Sequence, residues 1–157
     1  MRTAIVSMRT ASVRWTQIVG AAAATFAICT GGAIVRAQAG ASVLTGAYTE
    51  EQAKRGEVVS TKLCVSCHGP DLTGGEAGPA LVGLEFLGNW TGLTAGDFYD
   101  RVNATMPADA PGTMTPQQTS DVAAYVLKLN KFPAGQTELP IDLAALKTIK
   151  IEGQPVK

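Results

Sequence analysis

From about residue 48 onward, hydrophobic and polar positions recur at helical rather than extended spacing. Thr49-Glu50-Glu51-Gln52 has the layout of a capping box, with a hydroxyl at the cap and Gln three residues later. Two acids in the first turn favour the same start through the helix dipole. The pattern predicts a helix from about 50 to about 64, with Ala53, Val58, Val59 and Leu63 loosely on one face. Thr94 followed by Asp97 offers a second cap, opening a short helix through Phe98, Tyr99 and Val102. Thr115-Pro116-Gln117-Gln118 is the clearest start, with a cap residue, proline at the first position and Gln at the third. The helix it opens carries Val122, Tyr125, Val126 and Leu129 on one stripe and ends near Asn130.

No segment shows sustained two-residue alternation or a β-branched run bounded by turns, so the expected fold is all-α, with three to four helices and long loops. Residues 69–92 read as one loop, with Gly at 69, 74, 75, 78, 83, 88 and 92. A structureless stretch of that length in a compact domain implies that it wraps something, and a bound cofactor would supply the missing core. Residues 105–114 form a second loop. Residues 131–157 hold three prolines and a short apolar patch from Ile141 to Ile151, and read as a tail laid over the domain from about 133.

Composition divides the chain. At 157 residues and 46% hydrophobic content, one domain with a real core is the default. Residues 1–39 contain Arg2, Arg9, Arg14 and Arg36 and no acid. Beyond them, nine Lys and Arg face thirteen Asp and Glu, a formal −4. That balance, without a basic cluster, argues against a nucleic-acid partner. The basic stretch to Arg14, the apolar run Ile18–Cys29 and the small-x-small Ala37-Gln38-Ala39 have the order of a secretion signal, cut after Ala39. The competing reading is an uncleaved membrane anchor, which the Ala- and Gly-rich span 16–35 would make marginal. Export places residues 40–157 in an oxidising compartment, the periplasm. Cleavage also removes Cys29, leaving two cysteines.

Those two stand in Cys64-Val65-Ser66-Cys67-His68. Two thiols three positions apart can add across the two vinyl groups of a haem, and the His that follows becomes the proximal iron ligand. A zinc site would need a fourth ligand that no further Cys or His beyond residue 39 supplies, and a thioredoxin-like pair would need strand–helix–strand context. The motif therefore implies one covalent haem c. His68 is the only histidine of the chain, so two-histidine ligation within one polypeptide is excluded. The opposite ligand is a Met, a Lys, the terminal amine, water or nothing. Beyond the signal the Met candidates are Met106, in a Met-Pro loop, and Met114, directly before a helix cap where packing is the usual role. Met106 is preferred.

A helix leading into Cys-x-x-Cys-His-Gly, a Gly-Pro-x-Leu loop, a Met-Pro loop and a final helix with an aromatic together resemble a class I monohaem cytochrome c, over about residues 48–132. Met-Pro-Ala-Asp-Ala-Pro-Gly at 106–112 and the run from Asp121 through Gly135 resemble, less specifically, cytochromes associated with periplasmic quinoprotein (PQQ-dependent) dehydrogenases. The resemblance implies three further roles. A backbone carbonyl near Pro79 would hold the His68 Nδ1–H, or Pro79 simply stiffens its loop. Gly56 and Tyr125 would meet where the first and last helices cross. Trp90 would donate its indole N–H to a haem propionate, or serve as a core aromatic. The function implied is one-electron transport between a dehydrogenase and a downstream acceptor such as a terminal oxidase, through transient contacts. The alternatives are a dedicated cytochrome subunit of a quinoprotein alcohol dehydrogenase, and an open-coordination haem that binds gas or reduces peroxide.

Overall fold

The computed structural model of the protein describes residues 41–153. The expected signal, its cleavage point after Ala39 and Cys29 lie outside them. The helices are α1 (Glu50–Leu63), α2 (Val65–His68), α3 (Gly83–Trp90), α4 (Ala95–Thr105), α5 (Pro116–Leu129) and α6 (Leu143–Leu146). Among the described residues the β-type pairings are isolated bridges from Lys150 to Ser42 and Thr94, so the fold is all-α as the pattern predicts.

The caps explain where the helices begin. Thr94 with Asp97, and Thr115 with Gln118, each form a complete capping box. At α1 only half of the expected box forms. The Thr49 hydroxyl accepts from the Gln52 amide at 3.1 Å, but the Gln52 side chain turns inward. Its Nε2 donates to Ser120 Oγ (3.1 Å) and Leu139 O (2.9 Å), while Oε1 accepts from Leu139 N (2.7 Å). A buried backbone unit at Leu139 needs both a donor and an acceptor, and a carboxamide supplies both. Pairing with the tail therefore wins over pairing with the cap.

α1 and α5 form the main packed helix pair, and they cross at Gly56. A Cβ there would collide with the Asp121 carbonyl and stand 2.9 Å from Tyr125 Cβ. The close approach lets Arg55 grip Asp121 through two bonds, Nε to Oδ2 at 3.0 Å and Nη2 to Oδ1 at 2.9 Å. The same guanidinium holds Glu138 of the tail at 2.9 Å through each of two nitrogens. Arg55 and Glu138 are exposed, so this outer pair adds little stability; Asp121 is buried, and its pairing avoids a stranded charge.

One expectation is corrected. Residues 69–92 are not one structureless loop, because α3 occupies its last third. Phe86 and Trp90 at helical spacing pack on Phe98 of α4, with centroids at 5.5 and 4.8 Å, and this aromatic contact holds α3 despite Gly83 and Gly88. The tail from about 133 packs into the core of the domain. It forms α6, and Leu139, Leu146, Ile149 and Ile151 are all buried.

Tyr48, just before α1, ties its segment to the chain that follows α5. Its hydroxyl donates to Phe132 O at 2.8 Å, and its carbonyl accepts from Gly135 N. Burial, reinforced by Glu50, pushes the Tyr48 pKa up to about 12 from an ordinary 10.0. A proton held more tightly in the folded state stabilises the fold below pH 10, and that contribution is lost as pH rises through about 12. Tyr48→Phe should cost about 1 kcal/mol at neutral pH and make the stability decline across this window shallower; urea titrations at a series of pH values measure both, and an unchanged slope contradicts the assignment. Gly56→Ala should cost about 1–3 kcal/mol by forcing α1 and α5 apart, despite the better helix propensity of Ala; thermal unfolding reads this, and an unchanged or raised melting temperature refutes the crossing as described.

Candidate functional site

Cys64 ends α1 and begins α2, a single turn that brings Cys64, Cys67 and His68 to one wall of a cleft. The Cys64 carbonyl accepts from both Cys67 N (3.1 Å) and His68 N (2.9 Å), which sets the spacing of the three side chains. Both cysteines are free thiols. Burial pushes the Cys64 thiol pKa up.

His68 is buried, and its Nδ1 lies 2.7 Å from the Pro79 carbonyl oxygen. A carbonyl can only accept, so Nδ1 carries the proton and Nε2 keeps its lone pair. The glycine-rich loop makes this contact possible. It folds back on the turn through Gly74 N to His68 O (2.7 Å) and Gly75 N to Gly78 O (2.9 Å). Gly78 then lies over the imidazole, where a Cβ would sit 2.9 Å from Nδ1. Asn130, at the end of α5, pins the far side of the loop. Its Nδ2 donates to Leu81 O and Val126 O, both at 2.9 Å, and its Oδ1 accepts from Gly83 N at 2.9 Å.

The cleft comprises two adjoining cavities of about 260 and 600 Å³ that share His68, Pro79, Leu81, Phe98, Val102 and Met106 as lining. Cys64, Cys67 and Met114 line the first cavity; Trp90 and Arg101 line the second. Met106 caps the C-terminus of α4 and is half-buried, whereas Met114 is buried in the core. The sequence-derived residues Cys64, Cys67, His68, Pro79, Trp90 and Met106 thus converge on one space. Among the described residues, no cluster of three or more His, Cys, Asp or Glu is placed to hold a metal ion, so the zinc alternative finds no ligand set there.

Sequence reasoning missed Asn130, read only as a helix end, and Arg101, whose guanidinium is a cationic group on the second cavity. An amide side chain at an expected helix end was the available signal for the first. Arg101 carried none, since it is one exposed charge on a helix.

A slot between apolar walls, with two unpaired thiols and an oriented imidazole on one side and a soft thioether in its lining, fits an iron porphyrin. Fold and site define the class: a small cytochrome c domain, a haem-binding electron-transfer module. Residues 51–126 match the family model described as cytochrome C oxidase, cbb3-type, subunit III. That match, with the all-α fold and the Cys64–His68 turn, supports a class I monohaem cytochrome c domain. No curated protein matches the sequence. Among solved structures, the sulfane dehydrogenase SoxCD from Paracoccus pantotrophus is similar at 24% identity, over 52% of this chain and 44% of that one, with a TM-score of 0.42. The similar segment thus spans less than half of the SoxCD chain.

Asn130→Ala should release the loop that orients His68. The expected result is accelerated amide exchange at Leu81 and Gly83 and a stability loss of about 1–3 kcal/mol; unchanged exchange at those two amides would remove Asn130 from this role.

Proposed function

We propose that the protein is an exported one-electron carrier with haem bonded covalently to Cys64 and Cys67, His68 as proximal ligand and Met106 as the opposite ligand. The observation that carries this reading is His68, locked through Nδ1 onto Pro79 O, sharing both cavities with the Met106 thioether. When bound, the iron porphyrin supplies a ferric–ferrous couple that changes by a single electron.

The chain's own groups divide the work. Cys64 and Cys67 would hold the group by adding each thiol S–H across one vinyl C=C, an addition that needs no oxidant or reductant. Pro79 O fixes the imidazole plane and raises its basicity through the Nδ1–H bond. Met106 presents a neutral, soft sulfur, which favours ferrous iron. Leu81, Phe98 and Val102 exclude water from the cleft, and Trp90 and Arg101 offer N–H donors to the carboxylates at its edge. With His68 and Met106 both holding the iron, no position would be left for gas or peroxide.

The basic-then-apolar segment before Ala39 supports export to the periplasm, with the signal removed. Partners would be transient redox proteins, a dehydrogenase on one side and an acceptor such as a terminal oxidase on the other, meeting the edge rimmed by Cys64–Gly69 and the Met106 loop. The buried side chains of Leu139, Leu146, Ile149 and Ile151 favour a free carrier over a dedicated quinoprotein dehydrogenase subunit, because a tail folded into its own domain is not free to dock elsewhere.

Met106→Ala should abolish the low-spin spectrum of the oxidised protein, lower the reduction potential and open the ferrous form to rapid carbon monoxide binding. Met114→Ala should leave the ligation intact and cost about 2–5 kcal/mol of stability as a core cavity. Visible and near-infrared spectra of the three proteins decide. Loss of the native spectrum in Met114→Ala alone would transfer the ligand role, and rapid carbon monoxide uptake by the unaltered protein would overturn six-coordination.

A further inference from the structure

The tail contacts the one helix that ends in Met106. Residues 149–151 run between two other segments and bond to both. Val43 N donates to Lys150 O (3.0 Å) and Lys150 N to Ala41 O (2.7 Å) on one side. On the other, Ala95 N donates to Ile149 O (2.8 Å), Ile151 N to Leu93 O and Gly92 N to Ile151 O (both 2.9 Å). Glu152 accepts from the Ser42 hydroxyl beside this pairing. Ile149 and Ile151 are buried beneath it. One turn earlier, the end of α6 presses on the first turn of α4. A Cβ on Gly96 would stand 2.6 Å from Lys147 Cγ, 2.8 Å from Lys147 N and 3.1 Å from Leu146 C.

We propose that the segment from Leu146 to Ile151 is a positioning brace that sets the place of α4, and through it the approach of Met106 to the iron. This rests on the His68–Met106 reading. The brace touches no cofactor. It acts because α4 is short and carries Phe98, Arg101 and Val102 on the cleft, with Met106 at its last cap. The start of that helix is held by Ile149 and by the back of Lys147, while its end reaches the cleft. A displacement at Gly96 is passed down a rigid rod of eleven residues, Ala95–Thr105, to the thioether. Lys147 and Lys150 also stand close enough to Asp97 to add to the Thr94 hydrogen bonds that hold its carboxyl below the usual carboxylate range. Tail and helix start are therefore joined by backbone pairing, by steric contact and by charge.

Gly96→Ala is the discriminating variant, since it wedges α4 from the tail while favouring the helix itself. Gly88→Ala is the control, because a Cβ there meets nothing within 4 Å. A chain ending at Lys147 removes the 149–151 pairing outright. All three are prepared with haem attached and compared with the unaltered protein by amide exchange across 95–106, reduction potential, ferrous carbon monoxide uptake and the ferric iron–sulfur band in the near infrared.

The expected result is faster exchange in α4, a weakened band, a lower potential and severalfold faster carbon monoxide uptake in Gly96→Ala and the shortened chain, with Gly88→Ala unchanged. Normal α4 exchange in both variants overturns the brace. So does faster exchange with unmoved potential and carbon monoxide uptake, which reduces the tail to ordinary stability. If the shortened chain does not fold, Gly96→Ala decides alone. Absence of the iron–sulfur band in the unaltered protein defeats the Met106 reading instead, and the brace is then judged on exchange and potential.

Discussion

The crossing of α1 and α5 at Gly56 is the contact from which the other distances are set. Because no side chain separates the helices there, the two backbones come close enough for Arg55 and Gln52 to reach groups that would otherwise be out of range. α1 ends in Cys64, so the crossing also fixes where the turn carrying both thiols and His68 begins. α5 ends in Asn130, whose side chain holds the loop that orients His68. One missing Cβ thus governs both the anchor of the imidazole and the carbonyl that locks it.

The second constraint is a core that the side chains leave incomplete. Phe86 and Trp90 each pack edge to face on Phe98 at one end, Met114 and Val122 close another, and between them lies the cleft. An apolar slot of this kind is costly to leave in water, and a flat apolar group restores the missing contacts. The loop from Gly69 to Val82 makes sense in the same terms: it is long because it goes around something.

Much of this was legible in the residues. Helix starts were read at Thr49, Thr94 and Thr115 because a hydroxyl cap is a local device whose partner lies three residues away. The five-residue motif was legible because its chemistry is contained in its spacing, and the Gly56–Tyr125 contact through the family resemblance, glycine inside a helix adding only that a packing reason exists. What escaped was non-local. The Gln52 amide looks like a capping group until Leu139 arrives from 87 positions away. α3 was hidden because glycines outweighed Phe86 and Trp90, whose partner Phe98 lies on another helix. The pairing at 149–151 depends on two segments distant from it in sequence and leaves no periodicity of its own.

The buried amide of Gln52 has a bearing on timing. Its partners in the folded chain are Ser120 and Leu139, 68 and 87 positions away. A chain still being synthesised holds Gln52 long before Leu139 is available. Until then the side chain has only water or the nearby Thr49 N–H to bond, and the buried pairing on the inner face of α1 is missing. The first helix therefore closes onto the core only when a segment 87 positions away has arrived, which ties the order of folding to a partner made long after it.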